Sequence, residues 1–245
     1  MDKETENTVC SPGGCRYTLI RSRRRTAAIC IRPGGRVEVR APLRLGRREI
    51  DRFVDEKAGW IAAHAAAAAA AAARRQAFQV EPGHGFLWLG REYPAVYRPG
   101  GPAADFDGGR FFLPSACGTV NRPAMVRLYK DMAAVLITGR VEEYVARMGL
   151  RPRSVKITAA RTRWGSCSGK NSLCFSWRLA LTPLDCVDYV VVHELCHMKE
   201  HNHSPAFWKQ VENVLPDYRR RQGELKRYGR MLALQDWESG PEANT

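Results

Sequence analysis

Apolar residues recur at helical spacing in several stretches of the chain and alternate with polar residues in several shorter ones. The helical spacing predicts helices over residues 47–76, 123–148, about 184–200, 205–214 and 217–234, the first of which ends in an alanine run. Alternation predicts two strands between residues 17 and 40, a small meander within residues 80–120, and two strands at 155–159 and 173–181. Helices and strands are therefore mixed, which predicts an α+β fold.

The order of these elements predicts two domains flanked by short tails. Residues 1–14 are polar and end in Ser-Pro-Gly-Gly, which predicts a disordered tail. Residues 15–120 are expected to form an N-terminal β-rich region with the Ala-rich helix, and residues 121–235 a second domain with the remaining helices. Residues 236–245 are expected to form a C-terminal tail. A chain of 245 residues is long enough for a sizeable core in such an arrangement.

The charge of the chain is strongly positive, with 39 Lys and Arg against 25 Asp and Glu and a formal net charge of +14. A basic surface favours acidic partners, including nucleic acids, nucleotides and acidic peptides. No apolar run has the length and character of a membrane span, and the first residues lack the apolar stretch of a signal peptide. These features predict a cytoplasmic protein with no membrane partner, in which the 8 cysteines are mostly reduced structural thiols.

The densest group of chemically active residues is His193-Glu194-Leu195-Cys196-His197, a His-Glu-x-x-His motif on an apolar helix. Residues four apart lie on one helix face, so His193 and His197 can direct their imidazoles at one metal ion. Glu194 is offset by about 100° around the helix, which places its carboxylate near a water on the ion. Zinc lowers the pKa of such a water toward about 7, and a carboxylate can take its proton. The motif therefore predicts a catalytic Zn²⁺ site with Glu194 as general base.

A third ligand must come from outside the motif, and two histidines compete for this position. On a straight helix His201 would lie about 12 Å along the axis from His193, too far for both to bind one ion. His203 is followed by Ser-Pro, which is a helix-start signal, and preceded by Asn, which suits a turn. Such a turn could return His203 to the metal, and Glu212 is the alternative third ligand.

Four segments of the chain carry a resemblance to a known family: Arg163-Trp164-Gly165-Ser166-Cys167, Phe175-Ser176-Trp177-Arg178-Leu179, the His-Glu-x-x-His motif, and Asn202-His203-Ser204-Pro205-Ala206-Phe207-Trp208. Together they resemble the YgjP-like zinc metallohydrolases, which are similar to SprT-like metallopeptidases. The resemblance is close over residues 155–220 and looser elsewhere. It implies a zincin-like metallopeptidase core in residues 121–235, with a helix, a β-hairpin, the motif helix and C-terminal helices. It also implies that His193, His197 and His203 bind zinc and that Glu194 is the catalytic base.

Three functions are compatible with these residues, and each has a different partner. A zinc metallopeptidase takes a peptide or protein substrate; Arg163, Arg178 and Tyr218 are candidate oxyanion donors, and Trp164 is a candidate substrate contact. A metal-dependent nucleoside triphosphate pyrophosphatase, converting for example UTP to UMP, would use the same activated water. A basic nucleic-acid-binding protein would carry zinc structurally, although structural sites usually have four protein ligands. The metallopeptidase fits an open three-histidine site best.

Overall fold

The computed structural model describes residues 7–101, 103–118 and 120–238, which adopt an α+β fold. These residues group into two compact units. Of the described residues, the first unit contains those from 7 to 78 together with 234–236, and the second contains those from 79 to 233 together with 237 and 238. The sequence predicts a boundary between residues 120 and 121 that separates two independently folding domains. This boundary stays a prediction. Among the described residues, no helix combines the length and the apolar character that crossing a bilayer requires.

The first unit has a four-stranded sheet and two helices. Its strands are β1 (Asn7–Cys10), β2 (Arg16–Ser22), β3 (Ala28–Ile31) and β4 (Val37–Pro42), in the spatial order β1-β2-β4-β3. Strands β2 and β4 are parallel, whereas β1 and β3 pair antiparallel with their neighbours. Helices α1 (Arg47–Glu56) and α2 (Ala58–Gln76) follow. The buried core of this unit consists of Tyr17, Val39, Ala41, Ile50, Val54 and Ile61.

This unit differs from the sequence prediction in three places. Residues 7–10, expected to belong to a disordered tail, form β1, because the turn after Cys10 lets them pair with β2. The rest of the two expected tails, residues 1–6 and 239–245, lies outside the described residues. Three strands instead of two lie between residues 16 and 42. Strand β2 pairs with β4, which follows β3 in the chain, and alternation does not reveal this pairing. The expected single helix is interrupted at Lys57, whose φ of −106° and ψ of 8° depart from helical values.

The second unit contains two sheets and four helices in its described residues. The first sheet has β5 (Gly85–Trp88), β6 (Arg91–Tyr97), β7 (Asp105–Phe106) and β8 (Phe111–Leu113) in the order β5-β6-β8-β7. Because β6 and β8 are parallel, this sheet is not the expected meander. Helix α3 (Asn121–Met148) leads to the second sheet, with β9 (Ser154–Thr158), β10 (Gly165–Cys167) and β11 (Ser172–Ser176) in the order β10-β11-β9. Helices α4 (Leu184–Cys196), α5 (Pro205–Val214) and α6 (Tyr218–Leu232) complete the unit.

Helix α4 carries the His-Glu-x-x-His motif and is the central helix of the second unit. Ten of its 13 residues are buried, as expected for a helix enclosed on several sides. It packs against α3, α5, α6 and β10, which fixes the motif in a rigid setting. The strand predicted over residues 173–181 ends at Ser176, and Trp177–Leu181 form a 3-10 turn before α4. Trp177, Leu179 and Leu181 of this turn are buried, as they would be on the inner face of a strand. Periodicity alone therefore does not distinguish the turn from a strand.

A buried ion pair joins α3 to α4 and yields a stability prediction. Arg140 donates to both carboxylate oxygens of Asp188 at 2.6 and 2.9 Å, and Asp188 is only 7% exposed. Replacing Asp188 with Asn leaves the guanidinium beside a neutral group, so we expect a loss of about 2–4 kcal/mol. The free energy of unfolding in urea, followed by circular dichroism, measures this loss. The control Asp185→Asn affects an exposed pair with Arg220 and should cost less than about 1 kcal/mol; equal losses would contradict the argument.

Candidate metal centre and adjoining cleft

Three histidines direct ring nitrogens at one point at the end of α4. The Nε2 atom of His193 lies 3.2 Å from Nε2 of His197 and 3.1 Å from Nε2 of His203. The donor atoms of the three side chains all lie within 4.8 Å of one another. A tetrahedral zinc ion with Zn–N bonds of about 2.0–2.1 Å separates two of its nitrogen ligands by about 3.3–3.4 Å. The spacing of the three nitrogens therefore fits one ion.

The turn after α4 brings His203 back beside the two motif histidines. The helix ends at Cys196, earlier than the sequence predicts, and the chain then turns before α5 begins at Pro205. Ser204 caps α5 by accepting a hydrogen bond from the backbone N–H of Phe207 at 3.2 Å. The Ser-Pro helix start and the turn before it are thus present as expected, and they determine where His203 lies.

The two competing ligand candidates lie outside this cluster. His201 is exposed in the turn and does not belong to the group of converging donors. Glu212 is on α5, where its carboxylate pairs with the ammonium of Lys209 at 3.5 Å. Within the described part of the chain, the group contains three histidines and no fourth His, Cys, Asp or Glu.

Contacts with a backbone carbonyl and with an aromatic ring hold the imidazoles in the orientation that a metal requires. Nδ1 of His197 lies 2.9 Å from the carbonyl oxygen of Glu200, which accepts its proton in a hydrogen bond and leaves the Nε2 lone pair free for an ion. The fully buried ring of Phe207 packs against all three imidazoles, with centroid distances of 4.5–4.9 Å. This aromatic support was not identified from the sequence, although the position of Phe207 in the first turn of α5, close behind His203, is a usable signal.

The electrostatic setting keeps two of the ligands neutral. Burial lowers the pKa of His193 to about 3, and the neighbouring His197 and His203 contribute to the same shift. Burial also lowers the pKa of His197, and the hydrogen bond to Glu200 opposes this shift. Neutral imidazoles have the free lone pair that metal binding requires, so both rings are in their binding form near neutral pH.

Glu194 lies buried between α4 and the short strand β10. It is 6% exposed, and a Cβ atom added at Gly165 would lie 2.7 Å from the Cγ atom of Glu194, so the strand passes very close to it. Burial raises the pKa of Glu194 to about 7, while the charge of Arg163 and a hydrogen bond from the backbone N–H of Cys167 act in the opposite direction. A carboxyl group with a pKa near the working pH can both accept and return a proton.

Strand β10 is the edge of its sheet and presents backbone groups on the side of Glu194. The carbonyl oxygen of Trp164 accepts a hydrogen bond from the N–H of Ser176, so in this antiparallel ladder Trp164 and Ser166 face β11. By alternation, the N–H and C=O groups of Gly165 and Cys167 point away from β11. The bond from Cys167 to Glu194 agrees with this direction.

A cleft of about 260 Å³ opens beside His193 and Glu194. Its walls come from β10, α4 and α6 and include Trp164, Gly165, Tyr189, Val190, Gln222, Leu225 and Lys226. Sequence reasoning missed Tyr189, which lies four residues before His193 and hence on the same helix face. The hydroxyl of Tyr189 accepts a hydrogen bond from the side-chain amide of Gln222 at 3.2 Å, which fixes the position of both side chains.

The four residues expected to contact substrate have different positions. Trp164 lines the cleft, and Arg163 is exposed and lies near enough to lower the pKa of Glu194. Tyr218 is buried, and its ring stacks on Trp208 with a centroid distance of 5.3 Å. Arg178 donates to a backbone carbonyl of the segment after β9, pairs with Glu238 and lies over the ring of Trp177. These contacts favour a structural role for Arg178.

Comparison with known proteins agrees with the chemistry of this cluster. A family model described as YgjP-like, metallopeptidase domain, matches residues 25–228. The search of curated proteins finds no match. Among solved structures, the crystal structure of the metallopeptidase zymogen of Pyrococcus abyssi abylysin is 23% identical, covering 39% of this chain and 94% of that chain with a TM-score of 0.35. Since the family model spans most of the sequence, including the hairpin and the histidine motif, the chain belongs to the YgjP-like metallopeptidase family, whose members are metal-dependent hydrolases.

Proposed function

We propose that this chain is a zinc-dependent peptidase in which His193, His197 and His203 hold the ion and Glu194 is the general base. The observation that carries the proposal is the convergence of three imidazole nitrogens next to a buried carboxylate. When bound, zinc supplies the Lewis acidity that activates a water and polarises a carbonyl. Three protein ligands leave one coordination position open, which is typical of catalytic rather than structural zinc sites.

Glu194 has the position and the surroundings of a proton carrier. Its carboxylate takes the proton of the attacking water and delivers it to the leaving amine nitrogen as the peptide bond breaks. The backbone N–H of Cys167 and the close approach of Gly165 limit the movement of the carboxylate. Arg163 is exposed nearby and is a candidate donor to the developing oxyanion.

The edge of β10 supports a peptide rather than a small molecule as substrate. An extended peptide that pairs with this edge accepts a hydrogen bond from the outward N–H of Gly165 and donates one to its C=O, and its scissile bond then lies beside Glu194. An edge strand that binds peptide beside the motif helix would make the second unit zincin-like. The neighbouring cleft of about 260 Å³ is smaller than a typical site for a drug-sized ligand, which occupies roughly 300–1,000 Å³. It therefore suits one side chain of the peptide, packed between Trp164 and Tyr189.

A parallel turnover assay with metal analysis tests the proposal. Casein, a library of extended quenched-fluorescent peptides, UTP and ATP are offered to the full chain, and its zinc content is measured by mass spectrometry. We expect cleavage of peptide bonds by protein carrying about one zinc per chain, loss of cleavage after chelation, and recovery when zinc is restored. Release of UMP or AMP by the zinc-loaded protein without peptide cleavage would contradict the proposed peptidase activity and indicate a nucleotide hydrolase that uses the same metal centre.

The contact between β10 and Glu194 gives a more specific prediction. In Gly165→Ala the new methyl group occupies the space of the Glu194 side chain, so the carboxylate or the strand must shift. A displacement of about 1 Å at a catalytic group can cost roughly 100-fold in rate, and we expect a fall of this size in kcat/KM with zinc content unchanged. Gly169→Ala is the matched control, because no atom lies within 4 Å of a Cβ added there. Similar kinetics for both variants would show that β10 does not position the carboxylate.

A further inference from the structure

The chain has two separate runs of three arginines, residues 23–25 and residues 219–221, and they differ in the ion pairs that their side chains form. In the triplet that ends at Arg221, the side chain of Arg220 pairs with Asp185 and Asp217 at 2.6 Å, and Arg221 pairs with Asp217 at 2.8 Å. In the triplet 23–25, within the described residues, no side chain forms an ion pair. Two of the three arginines at 219–221 are thus paired with carboxylates, whereas the triplet 23–25 has no carboxylate partner among the described residues.

The first triplet lies at one edge of the sheet of the first unit, where two loops meet. Strands β2 and β4 are parallel and in register, with Ser22 opposite Pro42, so both end at the same edge. The loop of residues 23–27 leads from there to β3, and the loop of residues 43–46 leads to α1. The guanidinium of Arg21, near the end of β2, donates to the carbonyl oxygens of residues 42, 43 and 45 at 2.8–3.0 Å, which ties the end of β2 to the loop of residues 43–46.

We call the side chains of Arg23, Arg24, Arg25 and Arg44 the arginine edge. Arg23, Arg25 and Arg44 are exposed. Arg24 is partly buried, and its Nε atom is inaccessible to solvent and lacks a hydrogen-bond partner among the described residues. A buried guanidinium nitrogen without an acceptor is costly, and an anion that reached Arg24 would relieve this cost.

The acidic side chains at the start of α1 do not neutralise the arginine edge. Glu49 accepts a hydrogen bond from the backbone N–H of Gly46, and so caps its own helix. Asp51 pairs with Arg47 at 2.9 Å and accepts a hydrogen bond from the hydroxyl of Tyr17 at 2.7 Å. Both carboxylates have partners within the unit, so neither neutralises the arginine edge.

We propose that the arginine edge binds the phosphate backbone of a nucleic acid. Every member is arginine, whose planar guanidinium forms bidentate hydrogen bonds with phosphate oxygens, whereas lysine acts as a point charge. The arginines follow the ends of two paired strands, which brings several guanidinium groups to one part of the surface, as contact with successive phosphates of a polynucleotide requires. This activity goes beyond the proposed peptidase and does not depend on it.

Fluorescence anisotropy with the full-length protein tests this assignment. The probes are labelled 20-nucleotide single-stranded DNA, single-stranded RNA and a 20-base-pair DNA duplex, each titrated at several salt concentrations. The test variant carries Arg23→Gln and Arg25→Gln. The control carries Arg36→Gln and Arg74→Gln, which remove the same charge from exposed arginines before β4 and at the end of α2.

Each phosphate contact contributes about 0.9 to the slope of log K against log salt for a duplex. Losing two contacts should therefore lower the slope by about 1.8 and weaken duplex binding roughly 30-fold at about 0.15 M salt, while the control stays close to the parent protein. Unchanged thermal melting shows that both variants are folded. Absence of binding to all three probes, equal weakening in both variants, or tighter binding to phosphatidylserine vesicles than to any probe would each overturn the proposal.

Discussion

Replacing His203 with Ala is expected to reduce the affinity for zinc by more than about 100-fold and to abolish peptide cleavage at low zinc concentration. Two imidazoles four residues apart on α4 remain, and a two-ligand site lacks the third bond that closes the coordination shell. Changes to residues that only orient a ligand already cost about 10–100-fold in metal affinity, so losing a ligand itself should cost more. Competition with a chromogenic chelator measures the affinity, and mass spectrometry gives the zinc content of the purified protein.

His201→Ala is the matched control for this variant. It removes the same side chain two positions earlier in the same turn, where the imidazole is exposed and outside the converging group. We expect His201→Ala to keep the zinc affinity and the activity of the parent protein. If His203→Ala kept its zinc while His201→Ala or Glu212→Ala lost it, the third ligand would be one of the two alternatives.

Replacing Glu194 with Gln is expected to lower kcat by roughly 10²–10⁴-fold while zinc remains bound. Glutamine keeps the shape of the side chain in the narrow space beside Gly165, but its amide cannot take a proton from water. Three histidines continue to hold the ion, because the carboxylate is not one of the converging donors. Steady-state kinetics on the best peptide, together with zinc content, separates loss of the base from loss of the metal.

Glu212→Gln provides the corresponding control. It makes the same chemical change on the exposed side of α5, where the carboxylate pairs with Lys209. We expect normal kinetics from this variant. Undiminished turnover by Glu194→Gln would mean that another group accepts the proton, and loss of zinc from it would mean that Glu194 supports the metal instead.

The metal centre shows how far local sequence signals extend. His193 and His197 are four residues apart on a helix, and helical geometry alone places them on one face. The Ser-Pro helix start marks the turn that returns His203, so the position of that ring followed from capping chemistry rather than from distant contacts. The contacts of Phe207 with the three rings bring together two helices, and only the packing of α4 against α5 reveals them.

The cleft and the sheets show where local signals end. Arg178 carries the same charge as Arg163 and lies in an equally suggestive motif, yet its contacts with Glu238 and Trp177 favour a structural role. Nothing in the spacing of residues 173–181 separates a strand from the 3-10 turn at Trp177, since large apolar residues recur at every second position of the sequence throughout. The parallel pairing of β2 with β4 is equally absent from the alternation of either strand.

The sequence by itself determined the α+β class, the helix that carries the motif, the family and the residues expected to hold a metal, because these depend on period, capping and spacing over a few residues. The tertiary structure decided which strands pair, that Tyr189 and Gln222 wall the cleft, and that, among the described residues, the arginines at 23–25 form no ion pair whereas Arg220 and Arg221 do. Such features depend on groups far apart in the chain, whose contacts form only when helices and strands bury their apolar faces against one another.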